Sequence, residues 1–388
     1  MRKVSVLNLR LFAALSIGYL LAVPVHAQAA PPAGEGGSPQ AIDIATRLAK
    51  WQLARMDQAN LVSRATTETR NPRAWEQAVF WIGMTALADA HGPPEIRQAI
   101  LDMGRANQWL PARRPFHADD LVITQSYLWA AQHGAEATAI APTRKAFDHV
   151  VTHTPRVSLA FYQPPSGYDD TECLKRWCWC DALFMAPPAM IELWRQTGDR
   201  RFRDYAMQEY WATVDFLYDP AEHLFYRDSR FFERRDSKAR KQFWSRGNGW
   251  VFASMPRIIP LLEEGSADRK RMEALFREMA ERLKAIQKPD GYWAPSLLAP
   301  EDSPPESSGT AFFTYGIAWG IRAGLLDRRD YEPTARRGWS ALTRAIQPDG
   351  RLGWVQQVSD RPEKVAAEDT QYYGVGAFLL AATAVAAL

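Results

Sequence analysis

The chain has 388 residues, 47% of them hydrophobic, enough to bury a large core in one big domain or two smaller ones. Its net charge of +3 is spread over mixed signs, with no basic arm or block of like charge. That balance argues against nucleic acid as a partner.

At the amino terminus Arg2, Lys3 and Arg10 precede an apolar run over 11–23, followed by small residues around Ala27 and Ala29. This three-part pattern is that of a secretory signal, and the run is short for a bilayer span. Residues 1–29 are therefore expected to be removed on export, to a periplasm or beyond the cell. No cysteine follows the run to suggest a lipid anchor, and no membrane association is expected once the signal is gone. Ala30 to Gly37 is a Pro/Gly/Ala lead-in.

From Ser38-Pro39, a start with Ser as cap and Pro at the first helical position, apolar residues recur at helical spacing almost to the end. The clearest segments are 75–90, 96–109, 120–132, 182–197, 202–216, 250–259, 271–286, 310–323, 332–346 and 370–387. Alternating β-branched runs are scarce, so the fold class is all-α.

An internal repeat decides the architecture. Ala285-Ile286-Gln287-Lys288-Pro289-Asp290-Gly291 recurs as Ala345-Ile346-Gln347-Pro348-Asp349-Gly350, sixty residues on (285 to 345). Thr310, Phe312, Phe313 and Gly316 are answered by Thr370, Tyr372, Tyr373 and Gly376 at the same offset. Walking back at this period places further inner-helix starts near Gly247, Asp181, Asp120 and Glu76. Six helical hairpins would fill residues 38–388 as a single domain, and closing them in a ring gives an (α/α)6 barrel. In a ring all inner helices start at one end, so their N-termini gather positive potential at one mouth and favour an anionic ligand.

Trp244-Ser245-Arg246-Gly247-Asn248-Gly249-Trp250 sits at such a start. A guanidinium fork between two indoles suits the carboxylate of an anionic sugar, and Asn248 either adds an amide contact or shapes the turn. The same letters also fit an ordinary helix start with two core tryptophans. Asp181, next to Trp177, Cys178, Trp179 and Cys180, is a carboxyl whose ionised form is poorly solvated, which raises its pKa toward proton donation. Asp also caps helices, so capping is its alternative role. His117-Ala118-Asp119-Asp120 supplies a second carboxyl at the same mouth, with Asp120 taken over Asp119 on register. Glu306 and Glu368-Asp369 occupy comparable loop positions. His223 is a loop residue placed either on ligand or at the surface, and Trp179 and other indoles of the mouth loops fit stacking on pyranose faces. Cys173, Cys178 and Cys180 point to packing or one local disulfide rather than metal, since no histidine lies close to complete a zinc site. No GxSxG, HExxH, P-loop or GxGxxG pattern occurs.

Four tracts together, 180–187, 243–250, 305–313 and 373–380, closely resemble glycoside hydrolase family 105, the unsaturated rhamnogalacturonyl hydrolases, related to the family 88 unsaturated glucuronyl hydrolases. The resemblance runs from about Trp75 to the C-terminus and carries the (α/α)6 barrel with it. It implies an exo-acting enzyme that removes a 4,5-unsaturated uronic acid from the non-reducing end of lyase-generated oligosaccharides by hydrating the C4–C5 double bond. On this mapping Asp181 donates a proton to C4 and Asp120 is the second acid. Arg246 holds the uronate carboxylate while Trp244 and Trp250 flank the ring. No metal or organic cofactor is implied, and neither the neighbouring sugar nor an oligomeric state is specified. The rival readings are an inverting glycosidase using Asp181 and Asp120 on saturated sugars, and a non-catalytic sugar-binding protein in which Asp181 only caps a helix.

Overall fold

The computed structural model describes residues 38–57, 71–301 and 303–388. The expected signal and lead-in lie outside them. Fourteen α-helices are described: α1 (Ser38–Leu53), α2 (Trp75–Asp89), α3 (Pro94–Ala106), α4 (Ala118–Leu121), α5 (Thr124–Gln132), α6 (Ala141–Thr152), α7 (Ala182–Met185), α8 (Pro187–Thr197), α9 (Arg200–Leu217), α10 (Ser245–Ile258), α11 (Ala267–Ala285), α12 (Ser307–Arg322), α13 (Arg328–Arg344) and α14 (Tyr372–Ala386). A two-residue hairpin, β1 (Tyr218–Asp219) with β2 (Leu224–Phe225), follows α9.

The inner helices close a ring. α2 packs on α5, α5 on α8, α8 on α10, α10 on α12, α12 on α14, and α14 returns to α2. The outer helices α1, α3, α6, α9, α11 and α13 each precede one inner helix in the chain, so the six hairpins read from the sixty-residue period form an (α/α)6 barrel. The inner helices are apolar nearly all round: in α14 every residue from Tyr372 to Ala382 is buried, and in α12 every residue from Ser307 to Ile321. Closure of α2 on α14 depends on backbone-to-backbone approach, since a Cβ on Gly83 would lie 2.4 Å from the Gly376 carbonyl oxygen.

Two features escape the periodicity. α6 buries only Thr143, Phe147 and Val150, so its apolar stripe is too thin to stand out. The expected 120–132 helix is split into α4 and α5 at Val122-Ile123, and the 182–197 helix into α7 and α8 at Ala186, where two prolines follow.

Candidate active site

A cleft of about 360 Å³ opens at the N-terminal ends of the inner helices. Trp75 from the start of α2, Asp119 from α4, Trp179 and Asp181 from the approach to α7, and Trp244 from the approach to α10 line it. Tyr168 and Arg227 come from the loops after α6 and β2, and Val358 to Arg361 with Glu363 form a wall from the loop before α14.

Asp181 is at the helix boundary of α7, yet its side chain caps nothing. Its Oδ2 instead accepts the Cys180 thiol at 3.3 Å and lies 3.7 Å from Arg227 Nε. The residue is 7% exposed. Burial pushes the carboxyl above its usual value, against the opposing charge of Arg227, the Cys180 hydrogen bond and the more distant Arg246. The upward direction expected from the sequence is therefore present, and burial produces it while the neighbouring thiol opposes it.

Of the adjacent acids, the structure puts Asp119 in the cleft and takes Asp120 out of it. Asp120 accepts Arg114 at three points, the backbone N–H at 2.7 Å, Nε at 3.0 Å and Nη2 at 2.6 Å. Arg114 also pairs with Asp169, which fixes the loop carrying Tyr168. Asp120 is thus a buried anchor, and the register choice made from the sequence is off by one residue. Asp119 is pushed up to about 8, first by burial and further by the charges of Asp181 and Asp120, with Arg114 opposing. His117 caps α4 by accepting the Asp119 N–H and packs its ring on Trp179 at 4.9 Å.

Arg246 does not face the cleft. It is fully buried, donates to the carbonyls of Gln356 at 2.8 Å and Gln357 at 3.0 Å, and is sandwiched between Trp244 at 4.4 Å and Tyr373 at 4.8 Å. Its fork holds the loop before α14 rather than a ligand carboxylate. Trp250 is also a correction. At 1% exposure it meets Trp75, Phe184 and Phe312 and forms the floor beneath Trp75. Asn248 shapes the turn: its Oδ1 accepts Phe225 N–H and its Nδ2 donates to the carbonyls of Phe225 and Trp244, pinning β2 to α10. His223 sits at positive φ in the tip of the hairpin, 44% exposed, bonded to Tyr218 and near Glu278. Trp179 and Trp244 border the cleft but are 1% and 2% exposed, Trp179 packed on His117 and Trp244 covered by Arg246 with its Nε1 donating to Gln356 at 3.0 Å. Glu306 caps α12 through the N–H groups of Ser308 and Gly309, and Asp369 accepts Ala366 N–H.

The residue missed in the sequence is Arg227. It is 7% exposed, donates to Asp228 at 2.8 Å and to the Tyr168 hydroxyl at 3.1 Å, and its Nε has no hydrogen-bond partner. Burial works against its charge, but Tyr168, Asp181 and Asp228 hold it cationic. Arg227 therefore presents a desolvated donor beside Asp181, and Asp228, held by both Arg227 and Arg230, stays ionised below it. The only signal in the sequence was an Arg-Asp pair directly after an aromatic strand. Cys173 and Cys178 form a disulfide just before this site, and Cys180 is free and buried.

A family model described as Glycosyl Hydrolase Family 88 matches residues 44–388. An unsaturated 3S-rhamnoglycuronyl hydrolase of Alteromonas sp. (strain LOR) is 39% identical over 347 residues, 88% of this chain and 84% of that protein. A second protein of the same name, from Formosa agariphila, is 34% identical and covers 81% of this chain and 84% of its own length. Among solved structures, a glycosyl hydrolase family 88 protein from Bacteroides vulgatus superposes with a TM-score of 0.77 at 28% identity, over 90% of this chain and 99% of that one. The family match spans the whole ring of hairpins and the relatives agree with it. This chain belongs to glycosyl hydrolase family 88.

Proposed function

We propose that the protein is an exo-acting hydrolase that releases a 4,5-unsaturated uronic acid from the non-reducing end of lyase-generated oligosaccharides by hydrating the C4–C5 double bond. The observation that carries this reading is Asp181: a buried carboxyl at a helix boundary that caps nothing, raised toward proton donation and set 3.7 Å from the Arg227 guanidinium.

Asp181 protonates C4, and the positive charge that develops at C5 is shared with the ring oxygen. Water adds at C5 and returns its proton to the Asp181 carboxylate. The C5 hemiketal then opens, and the hemiacetal left at C1 expels the remaining sugar, for a net consumption of one water. Asp119, protonated below about pH 8, keeps the pair from holding two negative charges and offers a hydrogen bond to the water or a hydroxyl. Arg227, the cationic residue of the cleft wall beside Asp181, takes the role first assigned to Arg246 and pairs with the uronate carboxylate. The partly exposed rings of Trp75 and Tyr168 are the aromatic faces the cleft offers a sugar, with Trp179 and Trp244 buried behind them. Because the proton goes to C4 and not to the glycosidic oxygen, carboxylate separation does not report retention or inversion here.

The relatives named for a 3S-rhamnoglycuronyl substrate make fragments with rhamnose beside the unsaturated uronate the first to try. The test is loss of the ultraviolet absorbance of the uronate double bond when purified protein meets lyase products, with Asp181→Asn alongside. Decay with wild type and none with the variant is expected. Absence of decay across ulvan, rhamnogalacturonan, pectin and glucuronan fragments overturns the reading. The same proposal includes export, supported by the three-part amino terminus, and N-terminal sequencing of protein from a periplasmic or culture fraction should begin near Gln28 or Ala30.

A further inference from the structure

Asp181 is carried by a helix that cannot hold itself in place. α7 is four residues long, about one turn, which is less than a stable helical nucleus. It is cut off from α8 at Ala186, because Pro187 and Pro188 have no N–H to return to the carbonyls of Leu183 and Phe184. One end of α7 thus abuts the cleft carboxyl, and the other ends in carbonyls that the backbone leaves short of donors.

For Phe184 the missing donor comes from a neighbouring inner helix, which also bonds the Met185 carbonyl. Gln125, on α5 and 5% exposed, gives its Nε2 to Phe184 O at 2.8 Å and to Met185 O at 3.0 Å. An amide can be turned either way round, but here Arg257 of α10 donates its Nε to Gln125 Oε1 at 2.8 Å. With the oxygen claimed by a guanidinium, the NH₂ group must face the two carbonyls. The Arg257 guanidinium also lies 6.0 Å from the Phe184 ring, so α7 is gripped by its backbone and by a side chain. Met185, whose carbonyl is held, itself lines the cleft. Gln125 and Arg257 reach this point from a second cavity of about 320 Å³, lined by residues of all six inner helices and sharing no residue with the cleft.

We propose that Gln125, oriented by Arg257, is a positioning residue for the reaction: it substitutes for the backbone donor that Pro188 lacks and thereby sets where α7 presents Asp181. The proposal rests on Asp181 acting as the proton donor, and its test is built so that the two can fail separately. Gln125→Met keeps the volume and removes the donor, whereas Arg257→Lys keeps a cationic donor for the amide oxygen. Leu342→Ala, a buried position on the outer helix α13, serves as a destabilised control away from α7.

Two readouts are taken on folded protein. In hydrogen exchange followed by mass spectrometry, peptides spanning 180–190 should exchange several-fold faster in Gln125→Met and unchanged in Leu342→Ala. In the ultraviolet assay, Gln125→Met should lose 10-fold or more in kcat with KM within about 2-fold, and its pH profile should shift. Arg257→Lys should stay within a few-fold of wild type in kcat and keep its profile. Exchange over 180–190 unchanged by Gln125→Met overturns the proposal whether or not a substrate is in hand. So does a loss of kcat that merely follows the folded fraction, as in Leu342→Ala. An inactive wild type with fast-exchanging α7 in the variant would instead strike the assigned reaction and leave the clamp standing.

Discussion

Arg227 Nε lies 3.7 Å from Asp181 Oδ2 and donates to no acceptor, although only 7% of the arginine is exposed. A buried donor without a partner is costly, of the order of 1–3 kcal/mol or more when charged, and is tolerated where a ligand completes it. Since Arg227 lowers the Asp181 pKa, Arg227→Met should raise it further and move the alkaline limb of the pH–rate profile to higher pH. It should also remove the carboxylate contact, costing about 100-fold or more in kcat/KM by analogy with other buried charged contacts of about 3 kcal/mol. Steady-state kinetics across pH 5–9 would check both. An unchanged KM and an unmoved alkaline limb would remove Arg227 from the site.

Asp119 couples the cleft to stability. Its carboxyl titrates near 8 in the fold, against 3.8 for the unperturbed group. Between those values the native protein retains a proton that the unfolded chain releases, so the fold loses stability as pH rises through that window. Asp119→Asn carries no titrating group there. Its melting temperature should match wild type near pH 4 and exceed it at pH 8–9, while activity falls at all pH values. Thermal unfolding of the two proteins at both pH values measures the difference. A wild-type advantage at pH 9 would mean that the folded carboxylate is stabilised and its pKa is not raised.

These two acids show what a sequence can and cannot disclose. The ring of hairpins was legible because each must bury the same apolar face, which forces the sixty-residue echo of Ile286-Gln287 in Ile346-Gln347. Asp181 was legible because its indole and sulfur neighbours are adjacent in the chain and so surround it in any fold. Asp119 and Asp120 were not separable, since α4 is one turn and the choice depends on Arg114, which reaches Asp120 from the preceding loop. Arg246 and Trp250 looked like a ligand clamp because arginine between indoles has the same letters whether its donors meet a sugar or a backbone. Only the loop before α14, which has no periodicity to betray its path, decides that the Gln356 and Gln357 carbonyls take the fork. The wall from Val358 to Arg361 was invisible for the same reason.

The reassignment of Arg246 has its own consequence. Its two carbonyl bonds and two ring contacts fasten the loop over the barrel mouth, and the Tyr373 hydroxyl shares the Gln356 carbonyl at 2.6 Å. Arg246→Met should cost about 3 kcal/mol of stability, as expected for two charged hydrogen bonds in a buried site. Arg246→Lys, lacking the fork, should recover only part of it. Denaturant unfolding gives the numbers, and limited proteolysis should show new cleavage within 355–366. If Arg246→Met is as stable as wild type and loses only substrate affinity, the arginine reads ligand after all.

Closure of the ring rests on the contact of α2 with α14 at Gly83 and Gly376. A Cβ on Gly83 would come within 2.4 Å of the Gly376 oxygen, and one on Gly376 within 2.2 Å of the Val79 oxygen. Both obstacles are backbone, so neither can swing aside as a side chain would, and the two helices must separate to admit a methyl group. Separation would open the seam under Trp75 and Tyr373, whose rings stack 5.0 Å apart and link the cleft to the mouth loop. Gly376→Ala is therefore expected to destabilise by roughly 2–3 kcal/mol, as overpacked cores do, and to lower activity although it lies away from Asp181. Gly198→Ala is the contrast: its Cβ would meet nothing within 4 Å, and its positive φ of 76° confines the cost to local backbone strain of about 1 kcal/mol. Urea unfolding of the two variants separates the effects. A Gly376→Ala protein as stable as Gly198→Ala would show that the ring can relax at this seam without loss.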